Sequence, residues 1–116
     1  MNAAPGEYTE AAIAFARALT SGDFAAAYGM TSREYRRGTS LGAMQTAYEA
    51  LVPAEFGPVS SVEVGLRLDS WPEKEPTDVS WVYVSIGGDV FSEAVIVVVT
   101  TEDGALRLRD VQFGRP

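Results

Sequence analysis

The chain contains no cysteine and no histidine. Without cysteine there can be no disulfide, thiolate nucleophile or cysteine-held metal, and the chain suits any redox compartment. Without histidine it lacks the side chain most used as a general base near neutral pH, which is also the commonest metal ligand. Serine–histidine and zinc mechanisms are excluded unless a partner supplies the missing groups. Long hydrophobic runs are missing too. The longest, Ala94 to Val99, falls far short of the ~20 residues that a membrane helix needs. The opening MNAAPG has neither a basic nor an apolar stretch, so no signal peptide is visible and a cytoplasmic protein without membrane contact is expected.

What the chain does have is the composition of a folded domain. Its 116 residues are 47% hydrophobic and 22% charged, enough for one domain (residues 1–116) that buries roughly two-thirds of its unfolded surface. The net charge of −7 repels a phosphate backbone. The densest basic spots, Arg33, Arg36 and Arg37, then Arg107 and Arg109, are mixed with acids rather than arranged in a stripe. Nucleic-acid binding is not expected.

Helical spacing dominates the first half. Tyr8, Ala12, Phe15 and Leu19 form an apolar stripe over a helix from Glu7 to Thr20, which Ser21-Gly22-Asp23 breaks. A short helix from Phe24 to Met30 should bury Phe24, Ala27 and Tyr28. Thr31 and Glu34 have capping-box spacing for a further turn before Gly38. Ser40 can cap a third helix, Leu41 to Val52, whose stripe runs through Met44, Ala47, Tyr48 and Leu51 until Pro53 stops it.

After Pro58 the period becomes two. Val62 to Asp69 alternates, so Val64 and Leu66 should face the helices while Glu63, Arg67 and Asp69 face water. Trp71 to Pro76 reads as a loop. A second strand spans Val79 to Ile86, with Val79, Trp81 and Tyr83 on one face and Val82, Val84 and Ile86 on the other. Gly87-Gly88-Asp89 reads as a tight turn. The third strand, Val90 to Thr101, is apolar on both faces from Ala94 onward, which predicts a central position. In the fourth, Ala105 to Phe113, Leu106 and Leu108 differ in parity from Val111 and Phe113. A bulge near Arg109-Asp110 would bring all four to one face and bend the strand. The expected fold is α+β, with N-terminal helices on a strongly curved, mainly antiparallel sheet of four or more strands.

This order of elements resembles the cone-shaped nuclear transport factor 2-like superfamily, which includes the SnoaL-like and ketosteroid-isomerase-like proteins. The likeness is closest from Ala11 through Met30, where an alanine-rich helix meets a small-Gly-Asp-aromatic break and a second helix. The closing run from Asp103 to Phe113 is similar to that family's last hairpin. The resemblance implies a cone whose open end holds a protein partner or a small hydrophobic ligand, and pairing of two copies through the sheet. A non-enzymatic binding, accessory or immunity domain of this kind is the leading expectation, with no cofactor and no metal. The alternative is a small isomerase, cyclase or hydratase-like enzyme, for which the resemblance suggests a carboxylate with a tyrosine.

For that alternative the sequence offers Tyr28, Tyr35, Asp89, Glu93 and Asp110, and the candidates singled out are Glu93, Tyr28 and Asp110. Glu93 shares parity with Phe91, Val95 and Val97 and could point into an apolar cavity. The competing reading is an acid near a strand end that pairs with Arg107 or Arg109. As binding residues we single out Tyr28, Tyr48, Trp81, Tyr83, Phe91 and Glu93. Tyr28 and Tyr48 lie on apolar stripes where a core role competes. Trp81 and Tyr83 could line an outer sheet face that packs or pairs.

Overall fold

The computed structural model describes residues 4–115. Helix α1 (Pro5–Thr20) starts on a proline, whose missing N–H costs nothing at that position, and buries Ala12, Phe15, Ala16, Ala18 and Leu19. Gly22, at φ +82°, turns the chain, and the Asp23 carboxylate accepts the Ala26 N–H to cap α2 (Phe24–Gly29). The cap of α3 (Arg33–Gly38) is Ser32, whose hydroxyl accepts the Tyr35 N–H. Thr31 is therefore not the cap that the sequence suggested. Its hydroxyl bonds back to the Tyr28 carbonyl at 2.6 Å, and it bridges in parallel to Leu108. Ser40 caps α4 (Leu41–Leu51) as expected, and a single 3₁₀ turn, Ala54–Phe56, leads into the sheet.

Four antiparallel strands follow in the order β1 (Val59–Leu68), β2 (Asp78–Gly88), β3 (Ser92–Glu102) and β4 (Ala105–Phe113). The chain is thus α+β, with an open sheet whose central β3 is buried from Ala94 to Thr100. Gly87 and Gly88 belong to β2 rather than to a turn, so the reversal falls at residues 89–91. Packed beneath the Phe91 ring and the Pro58 carbonyl, Gly88 has no room for a Cβ.

The register skips at four places, where Ser60, Gly65, Val79 and Arg109 are each inserted against a single partner. Each skip resets the alternation of faces. At Arg109 it does what the parity of β4 predicted: Leu106, Leu108, Val111 and Phe113 all pack toward the core. At Gly65 it overturns the simple alternation of β1. Leu66 is 49% exposed, whereas Arg67 swings onto the row of Val82 and donates to Ser80 Oγ and Asp69. At Val79 the skip turns that side chain against the core, away from Trp81 and Tyr83.

One face of the sheet carries Val82, Val84, Ile86, Val95, Val97, Val99 and Leu108, all buried together with Phe15, Leu19, Met44 and Tyr48 from the helices. Burying a side chain of this size contributes roughly 1.5–3 kcal/mol, so this single layer supplies most of the driving force for folding. The opposite face has no helix among the described residues, and its Ala94, Ile96 and Val98 stand outside the core cluster.

Candidate functional site

Two features remain once the core is accounted for. The first is the outer face of the sheet. Its register aligns Leu66, Tyr83 and Ile96 in one cross-strand row and Leu68, Trp81 and Val98 in another. On β4 these rows end in Gln112 and Asp110. Ile96 and Val98 are only 3% and 5% exposed, Leu66 is 49% exposed, and Leu68, Trp81 and Tyr83 are half-buried. Gly65 permits this surface. A Cβ there would stand 3.1 Å from the Tyr83 ring and would push it back by a few tenths of an ångström, so glycine suits the bulged backbone here.

One end of this face is closed by polar chemistry. Asp78 lies opposite Thr100 and accepts from Arg109 Nε at 2.8 Å and Nη2 at 2.7 Å, a two-point contact, and from the Glu75 N–H at 2.8 Å. Burial pushes the Asp78 carboxyl up, but the Arg109 guanidinium, the Glu75 N–H and the Thr100 hydroxyl outweigh it and hold the group below its ordinary range. Thr77 adds a bond between its hydroxyl and that of Thr100 at 2.9 Å, so the loop before β2 is tied down at this end. Beyond it, Lys74 sits over the Trp71 ring at 5.6 Å.

The second feature is an open cleft of about 370 Å³ between α3, α4 and β4. Met44, Ala47, Val111 and Phe113 line it with apolar surface, and Glu34, Tyr35, Thr39, Arg109 and Asp110 supply the polar groups. Burial raises the Tyr35 hydroxyl above its ordinary value, opposed by a hydrogen bond with Thr39 and reinforced by the nearby Asp110 charge.

The candidate catalytic residues do not converge. Asp110 lines the cleft and is exposed. Tyr28 lies outside it, with its hydroxyl donated to the Thr39 carbonyl at 2.7 Å. Glu93 sits at the start of β3, five residues along from the Val98 that faces Asp110, a separation of about 17 Å. It has the inward parity expected of it, opposite Ile86, yet its side chain lies at the edge, 27% exposed and 4.0 Å from Arg115. Neither Arg107 nor Arg109 is its partner: Arg107 donates to the Gly29 carbonyl and Arg109 serves Asp78.

Among the binding candidates, Tyr48 is 6% exposed, its ring 5.9 Å from that of Phe24, and burial raises its hydroxyl, which makes it a core residue. Phe91 packs on Phe56 with ring centroids 5.7 Å apart, over the β2–β3 reversal. Trp81 and Tyr83 are on the outer face, as anticipated. Sequence reasoning missed Leu66 and Leu68 on that face, and named Tyr35 without singling it out. The glycine within β1 was the visible clue to the first pair. Nothing in the pattern around Tyr35 distinguishes it from Tyr28.

Among the described residues no group of three or more acidic side chains could hold a metal ion, and no helix is long and apolar enough to cross a membrane. No protein-family profile, curated protein or solved structure matches the chain.

Proposed function

We propose that the chain is a non-enzymatic binding domain of the nuclear transport factor 2-like kind, which pairs with a second copy through the outer face of its sheet and holds its ligand or partner at the cleft. The observation that carries this reading is the double apolar row Leu66–Tyr83–Ile96 and Leu68–Trp81–Val98, with no helix over it among the described residues. Four strands about ten residues long span a projected face of roughly 600 Å². That is the scale of the ~800 Å² per partner of a standard interface, and the two apolar rows form its centre, with Glu63, Ser85, Asp110 and Gln112 around them. A two-fold contact hides it with the same residues from both copies. The four register skips, which bend a sheet, support a sheet curved about α1.

An enzymatic role draws less support, since Glu93, Tyr28 and Asp110 are spread over separate parts of the fold. Light scattering at micromolar concentration tests the pairing. A mass near twice 12.4 kDa is expected, falling to the single-chain mass in Trp81→Glu. A wild-type mass of one chain would refute the pairing.

A further inference from the structure

The cleft between α3, α4 and β4 combines an apolar floor with an acidic rim. Met44, Ala47, Val111 and Phe113 make the floor, and about 370 Å³ lies within the range of small-molecule sites. Arg109 is the one cation that lines it, and its charge is already committed. Nε and Nη2 are held by Asp78, and Nη1 faces Glu75 at 3.2 Å and Glu34 at 3.7 Å. Asp110, by contrast, takes part in no hydrogen bond or ion pair among the described residues, although its charge is felt at the Tyr35 hydroxyl. Of the charged residues that line the cleft, Glu34 and Asp110 are negative and Arg109 is neutralised by Asp78, so the mouth is negative. An anionic ligand is repelled there. A neutral ligand uses the floor and ignores the field.

We propose that this cleft binds a small organic cation, a protonated amine on an apolar body, with the ammonium at Glu34 and Asp110 and the hydrocarbon against Met44, Ala47, Val111 and Phe113. The proposal rests on the reading of the chain as a binding domain and adds the chemistry of what it holds. A carboxylate 4 Å from the ammonium favours the cation by about fivefold even at the dielectric of water, and by more where the wall excludes solvent.

The test titrates ¹⁵N-labelled protein with 2-phenylethylammonium, 2-phenylethanol and phenylacetate, following amide shifts. The ammonium ion should move Tyr35, Ala47, Val111 and Phe113 and bind about tenfold more tightly than the alcohol, and phenylacetate should not bind. Asp110→Asn and Glu34→Gln, at exposed positions where the fold is retained, should each weaken the ammonium ion about fivefold and leave the alcohol unchanged. Equal affinity for amine and alcohol, affinity unmoved by both substitutions, or shifts confined to residues outside the cleft would overturn the proposal, as would no shift at all. Light scattering on the same samples separates the two readings. A dimer that ignores the ammonium ion removes the cation site and leaves the pairing intact, whereas a monomer that binds it removes only the pairing.

Discussion

The buried contact between Asp78 and Arg109 makes the sharpest energetic prediction. The Asp78 side chain has no exposure and that of Arg109 only 13%, so both charges have left bulk water and rely on each other. Asp78→Ala strands the guanidinium. Removing one partner of a buried pair costs about 3–5 kcal/mol, and Glu75 at 3.2 Å and Glu34 at 3.7 Å compensate in part, which sets the expectation near 3 kcal/mol. For a domain of this size that is a large share of a total of about 5–15 kcal/mol, and it lowers the melting temperature by about 12 °C. Calorimetry or urea unfolding of Asp78→Ala, Arg109→Met and the double variant completes a cycle. A coupling energy of about 2 kcal/mol is expected. pH adds a signed test. Because the folded state holds the Asp78 carboxyl below its ordinary value, its contribution is whole above about pH 4 and is lost as pH falls through the depressed value. Asp78→Asn should therefore lose less stability than wild type on acidification below pH 4. Single substitutions that cost under about 0.5 kcal/mol, or identical acid limbs in wild type and Asp78→Asn, would refute the reasoning.

Further expectations follow from the core, the hairpin and the surface charge. Phe15→Ala, at a site with no exposure, should cost about 3–5 kcal/mol in urea unfolding. In Gly88→Ala the new Cβ would lie 2.8 Å from the Pro58 carbonyl oxygen, a backbone atom that cannot swing aside, and a loss of about 1–3 kcal/mol is expected by the same assay. Two copies that each carry a net charge of −7 repel, so raising salt from about 0.05 M to 0.5 M should tighten the dimer in analytical ultracentrifugation.

The elements were legible because their cues are local. Gly22 and Asp23 punctuate the first two helices, Ser40 caps the last, and the switch of period after Pro58 marks the sheet. The faces were legible only where the sequence recorded its own irregularity. In β4 the parity conflict between Leu108 and Val111 exposes the skip at Arg109, since four large apolar residues cannot otherwise share a core. In β1 the alternation from Val62 to Leu68 is unbroken, and it misleads. Gly65 adds a residue without disturbing the visible pattern, so Leu66 and Leu68 emerge on the outside. An uninterrupted alternation fixes a face only if the partner strand advances in step, and that is a property of pairing that one strand cannot carry.

The same reasoning explains why the pairing of Asp78 with Arg109 escaped a reading based on residue type. Asp78 and Arg109 are 31 positions apart, and no local pattern links them. They meet because both adjoin a skip, at Val79 and at Arg109, and both skips flank the same stretch of β3 near Thr100. These two bulges, on the strands either side of β3, bring the two charges to one side, where the pair closes the end of the apolar rows. The bulge at Arg109 also passes Asp110 to the rim of the cleft. One inserted residue therefore anchors the outer face through its own side chain and brings an acid, Asp110, to the cleft through the next. If that is so, deleting Arg109 should damage both features together. Arg109→Met keeps the inserted residue, and should loosen the face while leaving Asp110 at the rim of the cleft.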